Sequence, residues 1–287
     1  MQVGFVGVGA MGAAMAGHCA KAGFDVLAYD TDPDTLFAAT SGDVVAATGL
    51  AEIAGSADVV ICVVSTDDQS RAVVGGLLEA GPKAGQVIVV AATNHPGTMI
   101  ELAETCRAAS VGFVDAPVCY GLQGAKQGNL ISLCGGTQED IDRVRAVLMA
   151  YSRSVEHLGP TGCGQLGKAC NNMMHWAACV ANYETLALAK SCGIDAQAMR
   201  ETLLKCPARN TTLERWDTSK FTWHEKDMDV VLDLSQQAGV PLPLFGLVDQ
   251  LVKRIGPDRV RELLHEDSAE YLGLPIPVRP LEEVVKG

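Results

Sequence analysis

A glycine-rich segment near the start of the chain has the residue types and spacing of a phosphate-binding turn. The segment Gly7-Val8-Gly9-Ala10-Met11-Gly12 directly follows the apolar run Val3–Val6 and opens a helical pattern. In this spacing the first glycine permits a tight turn, the second lets the backbone approach a pyrophosphate, and the third lets helix and strand pack closely. The helix adds N–H donors and the positive end of its dipole. The segment therefore predicts a dinucleotide site rather than a glycine turn without a ligand.

An acidic residue at the end of the next predicted strand bears on which dinucleotide is bound. Asp30 follows the run Asp25–Tyr29, 18 residues after Gly12, where a carboxylate accepts hydrogen bonds from ribose hydroxyls. Thr31 and Asp32 come next, with no Arg or Lys nearby to neutralise a 2′-phosphate. Because negative charge there repels that phosphate, we predict NAD as the cofactor, with NADP less favoured.

Two further segments carry groups suited to substrate chemistry. The segment Asp115–Ala125 follows a predicted strand with small residues and glycines, which leave backbone N–H groups exposed to a carboxylate. An ordinary strand–loop connection would have a similar composition. Lys168 and Asn172 are four residues apart and share a helix face, where a lysine can act as general acid/base and an amide can orient a substrate oxygen. On spacing alone, Lys168 is more typical of a solvated helix surface than of a catalytic site, and Lys226-Asp227 is typical of an exposed charge pair.

Alternating strands and helices must position these residues. The first half of the chain contains short apolar runs with helix-length segments between several of them. Runs such as Val59–Val64 are apolar at nearly every position, which is typical of parallel strands buried on both faces. The predicted strands are Val3–Val6, Asp25–Tyr29, Val59–Val64, Val87–Ala91, Phe113–Asp115, Leu130–Cys134 and Ser154–Leu158, and the helices include Gly12–Ala22, Pro96–Ala109 and Gln138–Ala150.

The pattern changes after Gly159-Pro160-Thr161-Gly162. A helix is predicted from Gly164 to about Lys190, followed by helical segments broken at glycine and proline. We therefore predict an α/β Rossmann domain with a mostly parallel sheet over residues 1–160. An all-α C-terminal domain is predicted over residues 161–287, beginning with a long interdomain helix.

Composition excludes several classes of protein. The chain of 287 residues is 48% hydrophobic and 20% charged, which favours a globular fold over disorder. Its net charge of −12 disfavours nucleic acids and anionic membranes as partners. The ten cysteines form no Cys-x-x-Cys pair, and the six histidines have no metal-site spacing. With no signal peptide or long apolar run visible, we expect a cytoplasmic protein with reduced thiols and no metal.

Taken together, the motifs resemble those of the β-hydroxyacid dehydrogenase family, which includes 3-hydroxyisobutyrate dehydrogenase and tartronate semialdehyde reductase and belongs to the 6-phosphogluconate dehydrogenase superfamily. The resemblance covers essentially the whole length, in order. Gly4–Gly12 is similar to the family's cofactor signature, and Asp115–Val118 begins its substrate loop. Lys168 with Asn171-Asn172 matches its catalytic helix, and Lys226-Asp227 matches the lysine–aspartate pair of its C-terminal domain.

The resemblance implies hydride transfer between NAD and a small 3-hydroxy acid or its semialdehyde, without a metal. Lys168 is the implied general acid/base, and Asn172 the residue that holds the reacting oxygen. The implied substrate-binding residues are Cys119, Tyr120, Gly121, Asn172 and Lys226. The implied cofactor-binding residues are Gly7, Val8, Gly9, Ala10, Met11, Gly12, Asp30, Val64, Thr93 and Lys226. The family also implies a homodimer or homotetramer.

The substrate loop departs from the family's pattern. It usually reads Ser-Gly-Gly after Asp-Ala-Pro-Val, whereas this chain has Cys119-Tyr120-Gly121. A thiol is a much weaker hydrogen-bond donor than a hydroxyl, and a tyrosine side chain fills space that a glycine leaves open. Either the backbone N–H groups hold the carboxylate alone, or the Tyr120 hydroxyl adds a contact, or the side chain turns out of the pocket. The family resemblance therefore does not identify the substrate of this chain.

Three alternatives compete with this hypothesis. A dinucleotide-binding protein that has lost catalysis would act as a sensor or scaffold, although the presence of Lys168, Asn172 and Lys226 together disfavours it. Imine reductases are similar in sequence but normally replace the catalytic lysine, so Lys168 disfavours them too. A larger phosphorylated sugar acid as substrate is disfavoured by the short C-terminal region.

Overall fold

Apolar periodicity in the first half of the chain produces alternating strands and helices. The computed structural model describes residues 1–40 and 42–286, and the contacts within the chain divide it into two units, Met1–Lys168 and Ala169–Gly287. In the first unit the strands are β1 (Gln2–Val6), β2 (Asp25–Tyr29), β3 (Val44–Ala46), β4 (Val59–Cys62), β5 (Val87–Val90), β6 (Gly112–Asp115), β7 (Val118–Cys119), β8 (Leu130–Gly136) and β9 (Ser152–Gly159).

Helices lie between most of these strands. They are α1 (Ala10–Lys21), α2 (Pro33–Ala39), α3 (Leu50–Ser56), α4 (Asp67–Glu79), α5 (Pro96–Ala108), α6 (Gly121–Lys126) and α7 (Gln138–Tyr151). Strands β1 to β6 run parallel in the order β3-β2-β1-β4-β5-β6. Strand β8 then pairs antiparallel with β6 and β7 and parallel with β9. This arrangement confirms the predicted Rossmann domain with a mostly parallel sheet.

The sheet is buried on both faces, as the continuous apolar runs predict. In β1, Val3 and Phe5 pack into one core with residues of α1 and α7, whereas Val6 packs into a second core with residues of α3, α4 and α5. Val59 and Val60 of β4 divide between the two cores in the same way. Alternate side chains of each strand therefore meet helices on opposite faces, which fixes the register of the parallel ladder.

The carboxyl ends of the parallel strands carry the candidate site. The turn Gly7–Gly12 follows β1, Asp30 follows β2, Val64 lies two residues beyond β4, Thr93 lies beyond β5, and Asp115 ends β6. Open α/β sheets bind ligands at this edge because the strand-to-helix turns and the helix N-termini meet there.

The remainder of the chain is mainly helical, and one short strand pair departs from the predicted all-α domain. Helix α8 (Cys163–Ser191) begins in the first unit and continues into the second. The other elements are α9 (Ala196–Leu203), α10 (Thr211–Glu214), a 3₁₀ turn (Trp216–Thr218), α11 (His224–Ala238), α12 (Pro243–Val252), α13 (Pro257–His265), a two-residue strand pair of β10 (Glu270–Tyr271) and β11 (Leu274–Pro275), and α14 (Leu281–Val284). The second unit packs around its own core, which includes Trp176, Trp216 and Leu263.

Two absences hold for the described part of the chain. None of its helices combines the length and the apolar character needed to cross a membrane. Among the same residues, no three His, Cys, Asp or Glu side chains are grouped so that they could hold a metal ion.

Candidate active site

Two of the three glycines in the turn after β1 are required by the packing of the protein itself. Gly7 has φ of +87°, and a Cβ there would lie 2.4 Å from the carbonyl oxygen of Val63. A Cβ on Gly12 would lie 2.1 Å from the carbonyl oxygen of Gly7. Both distances are far inside van der Waals contact, so these glycines hold β1, α1 and the end of β4 together.

Gly9 has a different reason to be glycine. A Cβ on Gly9 would meet no heavy atom within 4 Å, and the residue is exposed at the N-terminus of α1. Gly9 is the N-cap of this 12-residue helix and has no side chain, so it provides no side-chain acceptor for the N–H groups of the first turn. The bare backbone therefore fits a pyrophosphate resting on the helix N-terminus.

Asp30 lies beside this turn and is bound to it. Its Oδ2 accepts a hydrogen bond from the Val8 N–H at 2.8 Å, and its Oδ1 accepts one from the Asp32 N–H at 3.0 Å. Asp32 caps α2, and a hydrogen bond from the Thr35 hydroxyl lowers the pKa of the Asp32 carboxyl. Two carboxylates thus follow β2, and the sequence has no Lys or Arg between Lys21 and Arg71.

The other predicted cofactor residues take varied positions around the turn. Val8 is buried, and its N–H is bound to Asp30. Ala10 is exposed at the start of α1, while Met11 is partly buried against the core. Val64 and Thr93 are both partly exposed, beyond the carboxyl ends of the neighbouring strands β4 and β5. The first unit therefore gathers the predicted cofactor residues from Gly7 to Thr93 at one edge of its sheet.

Asp115 anchors the start of α8. Its side chain is fully buried, with Oδ1 accepting from the Gly162 N–H at 2.7 Å and Oδ2 from the Gln165 N–H at 2.9 Å. Burial raises the pKa of Asp115 to about 6, against the lowering effect of these N–H donors. The carboxyl group therefore ties the end of β6 to the first turn of the helix that carries Lys168.

Lys168 reaches the loop that the sequence predicts for the substrate. Its Nζ donates a hydrogen bond to the carbonyl oxygen of Val118 at 2.8 Å, and the residue is partly exposed. Cys119 is buried, and this burial raises the pKa of its thiol although the nearby Lys168 acts in the opposite direction. A buried thiol of this kind is a poor nucleophile. Lys168 is thus the ionisable side chain that contacts this loop, next to a thiol that is a poor nucleophile.

Tyr120 adopts the backbone conformation of a glycine. Its φ is +87°, in the left-handed region, and Gly121 follows with φ of +56° at the start of α6. The Tyr120 hydroxyl accepts a hydrogen bond from Arg153 at 2.7 Å, and the Arg153 Cζ lies 4.4 Å from the ring centroid. The ring also packs against the core of the first unit. Tyr120 therefore keeps the left-handed turn while its side chain is held by β9.

The second unit holds the remaining predicted residues. Asn172 is buried on α8, and its Oδ1 accepts a hydrogen bond from Asn171 Nδ2 at 3.0 Å. Lys226 is partly exposed in the first turn of α11. The neighbouring Asp227 accepts a hydrogen bond from the Trp176 indole N–H at 3.0 Å. This bond fixes the start of α11 on α8 and thereby the backbone that carries Lys226.

Sequence reasoning missed three residues that support the site, namely Arg153, Gln165 and Trp176. Arg153 and Trp176 bind partners 33 and 51 residues away, and Gln165 bonds to the segment after β5, 71 and 73 residues away. No local spacing signals contacts of that kind. The position of Gln165 on the predicted catalytic helix, three residues before Lys168, is the one local signal that could have found it.

Comparison with known proteins identifies the family of the chain. The family model described as the NAD binding domain of 6-phosphogluconate dehydrogenase matches residues 2–159. A second model, described as the NAD-binding of NADP-dependent 3-hydroxyisobutyrate dehydrogenase, matches residues 162–272. These matches confirm the resemblance to the β-hydroxyacid dehydrogenase family within the 6-phosphogluconate dehydrogenase superfamily.

Individual relatives extend over most of the chain. An uncharacterized oxidoreductase of Shewanella frigidimarina (strain NCIMB 400) is 34% identical over 268 residues, covering 88% of this chain and 92% of the relative. The 2-(hydroxymethyl)glutarate dehydrogenase of Eubacterium barkeri is 27% identical over 266 residues, covering 88% of each. The crystal structure of 3-hydroxyisobutyrate dehydrogenase from Salmonella typhimurium superposes with a TM-score of 0.79 at 25% identity, covering 88% of this chain and 93% of the other. The chain therefore belongs to the β-hydroxyacid dehydrogenase family of dinucleotide-dependent oxidoreductases.

Proposed function

We propose that the protein transfers hydride between NAD and a small 3-hydroxy acid or the corresponding semialdehyde, with Lys168 as general acid/base. The observation that carries this proposal is the hydrogen bond from Lys168 Nζ to the Val118 carbonyl oxygen, at the loop Cys119–Gly121. This bond holds the amine that we propose as acid/base beside the backbone that we propose holds the substrate carboxylate. Both lie in the same unit as the glycine turn.

The cofactor, when bound, supplies the carbon that accepts or donates hydride. The N–H groups in the first turn of α1 bind its pyrophosphate, and Asp30 accepts hydrogen bonds from the adenosine ribose. Val64, Thr93 and Lys226 are proposed to complete the cofactor contacts. Asp30 and Asp32 place two negative charges after β2, so we propose NAD rather than NADP.

The proposed substrate chemistry uses the backbone of one loop and three side chains of this chain. The backbone of Cys119–Gly121 orients the substrate carboxylate, since burial and the Arg153 contact occupy the side chains of Cys119 and Tyr120. Lys168 Nζ takes the proton of the substrate hydroxyl during oxidation and returns it to the carbonyl oxygen during reduction. Asn172 and Lys226 are proposed to orient the substrate. Separately, we propose that the protein acts as a homodimer or homotetramer.

Turnover measurements test the proposal. The purified protein would be assayed for NADH and NADPH formation with 3-hydroxyisobutyrate, glycerate, serine, 3-hydroxypropionate and 4-hydroxybutyrate. A dicarboxylate, 2-(hydroxymethyl)glutarate, belongs in the panel because a relative is named for it. We expect turnover of at least one compound, with a higher kcat/KM for NAD than for NADP.

The main competing function is a dinucleotide-binding sensor or scaffold without catalysis. It predicts measurable NAD binding in a titration and no turnover in either direction, with semialdehydes and NADH included. The bond between Lys168 and the substrate loop favours the enzyme, because a scaffold has no need for an ammonium group at that loop.

A further inference from the structure

A buried glutamine joins the start of α8 to the segment after β5. Gln165 is 1% exposed and lies in the first turn of α8, three residues before Lys168. Its Oε1 accepts a hydrogen bond from the Asn94 N–H at 2.9 Å, and its Nε2 donates one to the Ala92 carbonyl oxygen at 2.8 Å. The two bonded residues stand on either side of Thr93.

This pair of bonds has the pattern of a parallel β-ladder. In such a ladder one residue donates to the residue before its partner and accepts from the residue after it. The Gln165 side-chain amide does the same to the backbone around Thr93, although β5 has already ended at Val90. Ala92 and Asn94 are buried while Thr93 is partly exposed, so the bonds hold Thr93 with its side chain facing outward.

Further contacts make this connection rigid. The backbone N–H of Gln165 donates to Asp115 Oδ2 at 2.9 Å, which ties the same residue to the end of β6. On the other side, Asn94 Oδ1 accepts a hydrogen bond from the Ser70 hydroxyl of α4 at 3.1 Å. The main chain of Gln165 is therefore held by Asp115, and its side chain holds the backbone of Ala92 and Asn94.

We propose that Gln165 is a positioning residue, which sets the place of Thr93 relative to the Lys168 ammonium group. This inference rests on the proposed function, in which Thr93 contacts the cofactor and Lys168 transfers the proton. Lys168 follows Gln165 by three positions, which in an α-helix corresponds to about 4.5 Å along the axis. One helical turn thus carries both the Gln165 amide, which binds the backbone around Thr93, and Lys168. The distance between these two groups therefore does not depend on a flexible loop.

The test is a comparison of two buried glutamines. Gln165→Met keeps the volume of the side chain and removes both hydrogen bonds. Gln86→Met is the matched control, because Gln86 is also buried and its Nε2 donates to the Ala54 and Ala57 carbonyl oxygens at 3.0 and 2.8 Å. Gln86 precedes β5, at the opposite end of the strand from Thr93. Both variants lose two buried bonds, so both are expected to lower the thermal midpoint.

Kinetics separate positioning from stability. For Gln165→Met we expect kcat to fall about tenfold to a hundredfold, since small misplacements of reacting groups have effects of that size. The Kd for NAD should stay within about threefold, because the glycine turn and Asp30 set it. A primary isotope effect with substrate deuterated at the carbinol carbon should increase. Gln165→Glu keeps the acceptor for Asn94 and loses the donor to Ala92, so we expect an intermediate kcat, and it serves if the methionine variant does not fold.

A readout without turnover distinguishes failure of this inference from failure of the proposed function. Bound NADH should fluoresce less in Gln165→Met than in Gln86→Met at equal occupancy, since a loosely held nicotinamide is quenched by motion. If the wild type turns over none of the compounds but this difference appears, the positioning role stands and the dehydrogenase proposal fails. Equal NADH fluorescence in the two variants, or equal kcat where turnover exists, would show that Gln165 is only a structural amide.

Discussion

At the scale of single residues, the three glycines of one turn meet different demands. Gly7 and Gly12 are glycine because the chain itself occupies the place of a Cβ. Gly9 has open space around its Cβ position, so the fold does not require glycine there, and we propose that the bare backbone admits a ligand. The same distinction separates residues that hold the site together from residues that contact its ligands.

Alanine substitution should separate these two roles. Gly12→Ala brings a Cβ to 2.1 Å from the Gly7 carbonyl oxygen, so we expect a loss of about 3 kcal/mol or more in the free energy of unfolding. Gly9→Ala should change that free energy by less than about 0.5 kcal/mol and weaken NAD binding about tenfold. Denaturant unfolding and NAD titration measure the two effects. Normal NAD affinity in Gly9→Ala would contradict the assignment of the pyrophosphate to this turn.

Tyr120 offers a test of backbone strain. Tyr120→Ala and Tyr120→Gly lose the same contacts with Arg153 and the core, but only the alanine variant keeps a Cβ at φ of +87°. We expect Tyr120→Gly to be the more stable of the two by about 1 kcal/mol, the reverse of the order in ordinary structure. Chemical denaturation of both variants measures the difference. If Tyr120→Ala proves the more stable, the left-handed conformation of this residue is wrong.

Residue types predicted the glycine turn and Asp30 because the motif is local. The glycine spacing and the following carboxylate lie within 24 consecutive residues, from Gly7 to Asp30. The contacts of Gln165 with Ala92 and Asn94, and of Tyr120 with Arg153, join distant parts of the chain. Their formation depends on the order of the strands, which local spacing does not encode.

At the scale of elements, the start of α8 is the junction on which the proposed chemistry depends. Its first turn donates N–H groups to Asp115, its Gln165 side chain bonds to the segment after β5, and its Lys168 bonds to the substrate loop. Three ends of the sheet are thereby connected through one helical turn.

The buried carboxyl group of Asp115 should make stability depend on pH. Its pKa is about 6 in the folded protein and near 3.8 when unfolded, so between these values the folded state retains a proton that the unfolded state has lost. The contribution of Asp115 to the free energy of unfolding is therefore greatest below pH 4. It decreases as pH rises to about 6, by about 3 kcal/mol at most.

Asp115→Asn tests this expectation. The variant cannot titrate at this position, so its unfolding free energy should lack that decrease between pH 4 and 6. It should also be less stable throughout, because the asparagine Nδ2 would face a backbone donor at Gly162 or Gln165. Denaturant unfolding at several pH values compares the two proteins. An unchanged slope in the variant would assign the pH dependence to other groups.

Elements with strong apolar runs were predicted to within a few residues, and short exposed ones were missed. The predicted strand Val59–Val64 ends at Cys62, and the predicted helix Gly12–Ala22 begins at Ala10. Strand β3 has three residues, two of them exposed, and α2 buries none of its seven residues, so neither has an apolar face to detect. Helix α4 could have been found, since Thr66 and Gln69 form a capping box.

At the scale of the whole chain, the sequence pattern and the contacts mark different boundaries. Strand and helix alternation ends near residue 160, whereas contacts divide the chain after Lys168. The bonds from Gly162, Gln165 and Lys168 to β6 and the loop after it explain why the start of α8 groups with the sheet. Composition alone cannot reveal that assignment, because it depends on main-chain and side-chain donors at the start of α8 that bond to distant residues of the sheet.

The acidic character of the chain should be visible in its choice of cofactor. With the two carboxylates after β2 and no basic residue from 22 to 70, NAD should raise the thermal midpoint more than NADP at equal concentration. At a hundredfold excess over its Kd, NAD should stabilise the fold by about 2.7 kcal/mol. Thermal unfolding with each dinucleotide measures this, with Gly9→Ala as the control for specific binding. Equal or greater stabilisation by NADP would overturn the proposed preference.

The most direct test of the proposed mechanism is the turnover of Lys168→Ala with NAD and the best substrate of the panel. We expect kcat to fall about a hundredfold to ten-thousandfold, the range attributed to general acid/base catalysis, with NAD affinity retained. Lys126→Ala is the matched control, because it removes an exposed lysine from α6 in the same unit and should leave kcat unchanged. If Lys168→Ala keeps the kcat of the wild type, Lys168 is not the acid/base and the proposed mechanism is wrong.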